Sequence, residues 1–429
     1  MSAPQPSLAR RLGTGDAVVV GLSAMIGAGV FSVFAPAAAA AGAGLLIGLA
    51  IAAVVAFCNA VASAQLAGSY PSSGGTYLYG REVLGPWWGF VAGWGFVVGK
   101  TASCAAMAMT FAAYALPADG DRPWAGRVLA VTAVVVLTLL NLRGVTRTAL
   151  VARILLTMTL TTLVVALVVT ATGATAWDDT AAGEPFSFDG GVPGVLQAAG
   201  LLFFAFAGYA RIATLAEEVR SPQSLGRAVL ISLGITVMLY AAVAVVLVRS
   251  LGAGLAATRT PLSAAVVAAG APWAEPVVRV GAVAASLGAL LALLAGVGRT
   301  SLAMARERDL PGWLASVDAR HQVPDHAQVV VGAAIVALIL LADLRGAIGF
   351  SSFGVLVYYA VANASAFAQP VAQRRWPRAV NVLGLFGCLG LVATLPGVSV
   401  VGGVIVLTVG VAGRAVALSL RADRPSRRA

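Results

Sequence analysis

Apolar stretches long enough to cross a bilayer recur along this chain, and they leave it few ways to fold. A membrane-crossing helix needs about 20 predominantly apolar residues. Twelve runs approach or exceed that length, from 17–41 at one end to 398–418 at the other. Of the 429 residues 59% are hydrophobic and only 10% charged, and the mean hydropathy is +0.92. These values exclude a soluble enzyme and predict an all-α integral membrane protein with twelve transmembrane helices.

The net charge of +11 would suit a nucleic-acid binder if it were clustered, but it follows the gaps between runs. With the gaps numbered alternately, 20 of the 28 basic residues fall on the side of the N-terminus and 6 on the other; Lys100 and Arg211 lie inside runs. Asp178, Asp179, Glu184 and Asp189 share one loop on the opposite side, without a base. This positive-inside pattern predicts a multi-pass protein of the cytoplasmic membrane with both termini cytoplasmic and no nucleic-acid partner. Arg10 and Arg11 precede a first run too long for a cleaved signal, so that run is expected to be retained. Cys58, Cys104 and Cys388 have unrelated spacings, and His321 and His326 share one cytoplasmic loop. No catalytic residue, metal site or cofactor is expected.

The first run is interrupted at its centre, where the chain reads Ile26-Gly27-Ala28-Gly29-Val30-Phe31. Two glycines one residue apart weaken a helix there. Unwound backbone is costly in lipid unless it lines a cavity or binds something. A second half-helix starting near Val30 would aim its N–H groups at the gap, where a carboxylate could bind. The plainer alternative is that these glycines let neighbouring helices approach closely.

The sixth run has a matching interruption. It reads Phe203-Phe204-Ala205-Phe206-Ala207-Gly208-Tyr209 and closes on Glu217-Glu218-Val219-Arg220-Ser221-Pro222. Run one starts inside, run six starts outside, and each is followed by four more. Two inverted five-helix halves are therefore expected at 17–172 and 194–371. Helices 11 and 12 follow at 379–418, between a cytoplasmic N-terminus at 1–16 and a tail at 419–429. Glycine-interrupted helices at corresponding places in inverted halves point to a transporter site.

These motifs, with Arg299-Thr300-Ser301 and Arg306-Glu307-Arg308-Asp309-Leu310-Pro311 after run eight, resemble the amino acid–polyamine–organocation (APC) permeases over residues 15–375. The last two runs match only as apolar helices. The resemblance implies the LeuT-type 5+5 inverted repeat and alternating-access transport of amino acids or related amines. It implies that the substrate carboxylate meets N–H groups around Ala28 and Gly29, with Gly27 also in the substrate site. The substrate ammonium would meet carbonyls near Ile26, Phe204, Ala205 and Ala207, with Gly208 at the break and Tyr209 closing over the side chain. Phe203, Phe204 and Phe206 have a plain alternative as core or lipid contacts. Amine or polyamine export or exchange on the same fold, and a non-transporting membrane sensor, are the competing functions.

The sequence also departs from that family. Many sodium-independent members carry a lysine in the fifth helix, where this chain has Leu155, Leu156 and Thr157, and run eight offers only Ser286 as a sodium-site hydroxyl. The one lysine of the protein is Lys100, near the middle of run three, and Arg211 lies one turn past the break in run six. A lysine at that depth costs on the order of 3 kcal/mol to insert. About fifteen residues separate it from either end of the run, so its ammonium should point into the bundle. Lys100 and Arg211 are the candidate coupling residues, with a proton as the candidate coupled ion. A bond from Lys100 to a carbonyl at a helix break is the structural alternative.

Overall fold

The computed structural model describes residues 13–70, 74–116, 123–144, 149–173, 190–208 and 222–422, and among them every regular element is a helix. Nine helical segments are long and apolar enough to cross a membrane. Three shorter apolar helices, Gly191–Phe206, Asp325–Leu341 and Arg378–Thr394, bring the described number to twelve. Span 1 is built from three pieces, Thr14–Met25, Gly29–Ser32 and Phe34–Ala41. Spans 2 to 5 are Leu45–Ser69, Pro86–Ala115, Pro123–Leu142 and Ala149–Thr172. Span 6 is described as Gly191–Phe206, and spans 7 to 10 are Pro222–Leu251, Glu275–Arg306, Asp325–Leu341 and Leu344–Ala368. Arg378–Thr394 and Gly397–Ala422 complete the bundle as spans 11 and 12. Tyr209, Arg211, Glu217 and Glu218 lie outside the described residues.

Span 3 forms the spine of the bundle. It packs along spans 10 and 8, and most of its length is buried. Its start is sharply defined, because Gly85 adopts φ 104°, a conformation that favours glycine, and Pro86 follows at the first helical position. From sequence, the Gly/Ser/Pro cluster Pro71-Ser72-Ser73-Gly74-Gly75-Thr76-Tyr77 reads as a turn with Tyr77 and Tyr79 at a membrane interface. Instead, Thr76 and Tyr77 belong to a helix, Gly75–Leu84, and Tyr77 and Tyr79 are buried.

The core is polar where helices must hold register. Spans 2 and 10 carry two amide pairs, Asn363 Nδ2 donating to Asn59 Oδ1 at 2.6 Å and Gln65 Nε2 to Gln369 Oε1 at 2.8 Å. Both pairs join residues 304 apart in sequence, so the two spans run parallel along this contact. Hydrogen bonds of this kind are what hold helices together where lipid removes the hydrophobic drive to associate.

One end of the bundle is tied by charge. Asp309, just past span 8, has a side chain only 3% exposed. Its Oδ2 accepts from Arg81 at 2.7 Å and from the Tyr77 hydroxyl at 2.8 Å, while its Oδ1 lies 2.8 Å from Arg414 of span 12. Arg308, at φ 60°, turns the chain ahead of this carboxylate. Burial and the nearby Asp309 charge push the Tyr77 hydroxyl above its ordinary pKa, so it stays a donor. Arg414 also donates to the Pro86 carbonyl at 3.0 Å and lies over the rings of Trp87 and Phe90. Span 12 is otherwise the least enclosed span, and this cluster fixes it to span 3.

Candidate binding site at two broken helices

Helical hydrogen bonding in span 1 stops at Ile26, whose N–H is the last to reach back four residues, to Leu22 at 2.7 Å. Ile26 turns to ψ 71°, the Gly27 N–H closes a tight turn on Met25, and a new helix starts at Gly29. The Val33 N–H bonds Gly29 and the Ala37 N–H bonds Val33, so the second half runs on to Ala41 with one irregular residue. Span 6 stops at the same level. Its regular helix ends at Phe206, and the Ala207 and Gly208 N–H groups fold back on Phe204 and Phe206 in a turn.

The two breaks touch. A β-carbon on Gly208 would collide with the Ala24 carbonyl group and stand 2.6 Å from the Met25 nitrogen. A β-carbon on Gly29 would lie 2.9 Å from the Ala205 Cα and 3.0 Å from its Cβ, closer than real contacts allow. At both positions hydrogen is the side chain because another backbone passes there. Gly29 presents this face to Ala205 and the Phe204 ring, so the close-packing alternative holds for that face of the glycine. Ala28 is fully buried beside it, and Gly27 faces Ala289 of span 8.

Three side chains hold the breaks in place. Lys100 sits fourteen residues after Pro86 and fifteen before Ala115, buried, and its Nζ donates to the Ala207 carbonyl at 3.0 Å. The sequence expectation of an inward ammonium is met, and its protein partner is a carbonyl at a helix break. Further along span 3, the Tyr114 hydroxyl donates to the Phe31 carbonyl at 3.1 Å, and its ring meets Phe31 edge-on. Tyr240 of span 7, fully buried, places its hydroxyl 2.7 Å from the Met25 carbonyl and 3.2 Å from the Ala205 carbonyl, one from each broken helix. Sequence reasoning missed Tyr240. The available signal was a tyrosine deep in an apolar run, where its hydroxyl needs a partner.

All three phenylalanines are buried in the core. Phe203 meets Tyr359 edge-on and Phe206 packs on Tyr240, both without exposure, while Phe204 lies against Gly29 at the gap. Ile26 and Gly27 also line a small cavity of about 10 Å³ with Ser23, Leu155, Leu156, Thr159 and Ala285. Its two hydroxyls donate to their own helices, Ser23 to Val20 and Thr159 to Leu155. None of the residues that line it is charged. Ser286, one residue beyond Ala285, is buried.

Loss of the Tyr240 hydroxyl should be felt at both breaks. Tyr240→Phe is expected to lower thermal stability by about 1–2 kcal/mol, because a buried carbonyl loses its donor. Substrate uptake should fall about tenfold; parallel melting and uptake measurements check this.

A first span broken between Ile26 and Gly29, packed against the end of the described part of span 6 inside a twelve-span α-bundle, fits the LeuT-type fold. The chain belongs to the amino acid permease family, whose model matches residues 12–416. It is 55% identical over 411 residues to a transporter of Mycobacterium tuberculosis, covering 95% of this chain and 91% of that protein. It is similar to the branched-chain amino acid permease BcaP of Bacillus subtilis, at 26% over 446 residues, 95% of this chain and 92% of the permease. The vacuolar cationic amino acid transporter 4 of Arabidopsis thaliana is 29% identical over 374 residues, 82% of this chain and 62% of that protein. This protein is accordingly a multi-pass membrane transporter of amino acids or related organic cations.

Proposed function

We propose that the protein moves amino acids across the cytoplasmic membrane by alternating access, with the substrate held where spans 1 and 6 break. The observation that carries this reading is the contact between the breaks, Gly29 against Ala205 and Gly208 against Ala24 and Met25. An amino acid presents one anionic and one cationic group at short separation. The start of the helix at Gly29 offers unpaired N–H groups and a positive dipole end to the first, and the ends at Ile26 and Ala207 offer carbonyls to the second. In this reading Ile26, Gly27, Ala28, Gly29, Phe204, Ala205, Ala207, Gly208 and Tyr209 form the substrate site. Lys100 and Arg211 bear on coupling, with a proton as the coupled ion.

Uptake into proteoliposomes of each of the twenty amino acids, with and without an imposed pH gradient, tests it. Accumulation of one or a few that rises with the gradient is the expected result. Transport of none of them would overturn the reading, and transport insensitive to the gradient would remove the proton.

The excess of basic residues on the N-terminal side supports a topology with both termini in the cytoplasm. Cysteines introduced at Asp179 and at Ser426 should react with an impermeant maleimide from opposite faces of sealed cells. Labelling of both from outside would invert this topology.

A further inference from the structure

The contact between Lys100 and the break in span 6 concerns more than anchoring. The Ala207 carbonyl lies just past the last regular turn of span 6, where helix ends leave acceptors without intrahelical donors. In the functional reading above, on which this inference rests, that carbonyl is one of the acceptors for the substrate's α-ammonium. It is already taken. The Lys100 ammonium reaches it at 3.0 Å from span 3.

The occupant is chemically the same group as the one it would exclude. Both are primary ammonium ions with three donors and no acceptor. Two such cations cannot share one carbonyl at low dielectric without strong repulsion. Among the described residues no carboxylate holds Lys100 elsewhere. Asp16, Glu82, Glu275, Glu307, Asp309, Asp318, Asp325 and Asp343 are the described acidic residues, and each sits in a loop or in the first or last turns of a helix. A buried ammonium held by a carbonyl rather than by an ion pair can be displaced.

We infer that Lys100 is a built-in stand-in for the substrate's ammonium. It fills that subsite while the transporter is empty, and an incoming amino acid must move it aside. The apparent affinity for amino acids is then the intrinsic affinity multiplied by the fraction of molecules in which Lys100 has left Ala207. The competition is specific to the amino group, so a ligand without one does not feel it.

The test compares dissociation constants in purified protein for an amino acid and its deaminated analogue. The starting pair is L-leucine and 4-methylpentanoate, or the matching pair for whichever of the twenty the wild type binds best. Lys100→Met and Lys100→Gln should each bind the amino acid about tenfold more tightly, as expected if Lys100 holds the subsite about nine-tenths of the time. Neither should gain for the deaminated acid, and Lys100→Arg, which keeps a cation in place, should stay near wild type. Each variant is first checked for a monodisperse elution profile, and two neutral replacements guard against one that fails to fold. An amino-acid affinity that is unchanged or weaker in both overturns the inference and leaves the amino-acid reading standing. A wild type that binds none of the twenty overturns that reading and the inference together.

Discussion

Gly208→Ala should abolish uptake and destabilise the protein, although it adds a single methyl group. The added carbon would strike the Ala24 carbonyl group and lie 2.6 Å from the Met25 nitrogen. Those atoms are backbone at the very end of a helix, so no rotamer change relieves the clash. Span 6 would have to withdraw from span 1, taking the Ala207 carbonyl from Lys100 and the Ala205 carbonyl from Tyr240. Overpacking of this kind costs about 1–3 kcal/mol in a well-packed core, and the loss of the Lys100 hydrogen bond adds to it. Gly296→Ala is the control. Gly296 lies in the interior of span 8, with open space where its β-carbon would stand. There alanine should stabilise by about 0.5–1 kcal/mol, through helix propensity alone. Uptake and thermal melting of both variants decide the matter, and an active, wild-type-stable Gly208→Ala protein would show that the breaks do not meet.

The second large effect is expected at Asp309. Its carboxylate is shared by Arg81 and Arg414 and receives the Tyr77 hydroxyl. Removing one partner of a buried ion pair strands the other charge, at about 3–5 kcal/mol. Arg81 is part exposed and has Glu307 at 3.4 Å as a second carboxylate, so it can adjust. Arg414, whose side chain is 6% exposed, cannot. Asp309→Ala should therefore lower stability by about 3 kcal/mol and loosen span 12. A cysteine in place of Val406, whose carbonyl accepts from the Trp94 indole at 2.8 Å, should become more reactive in that background. Unchanged melting and unchanged labelling would show that the cluster is ornamental to stability.

Much of this was legible in the chain, and the part that was not has a physical pattern. Hydropathy alone marks the spans, because bilayer thickness sets their length. The Gly27–Gly29 pair and Gly208 mark the breaks, because backbone propensity is local. The inward aim of Lys100 followed from its distance to either end of span 3, since a lysine stem spans a turn or two and not fifteen residues. What stayed hidden depends on which distant segments meet. Arg414 reads as one more basic residue near the tail, yet it is buried against Asp309 because span 12 returns to the start of span 3. Tyr240 looks like any aromatic in an apolar run until two helix ends arrive at its hydroxyl. The Gly75–Leu84 helix was obscured by the Gly and Ser residues in front of it, which are turn formers wherever they occur.

The paired amides of spans 2 and 10 constrain how such a protein can move. The rungs at Asn59–Asn363 and Gln65–Gln369 lie six residues apart on each helix, about 9 Å along the axis. Sliding one helix past the other by a single turn would break both rungs at once and leave buried amide groups short of a hydrogen bond in an apolar interior, which is costly. Shear along this contact is thereby disfavoured. The Gln65 carbonyl oxygen also receives the Arg375 N–H at 3.0 Å, which clamps the link beyond span 10 to the same helix. Spans 2 and 10 are therefore expected to keep their register as the protein moves, and the irregular backbone between Ile26 and Gly29 is the place in span 1 where a bend costs least.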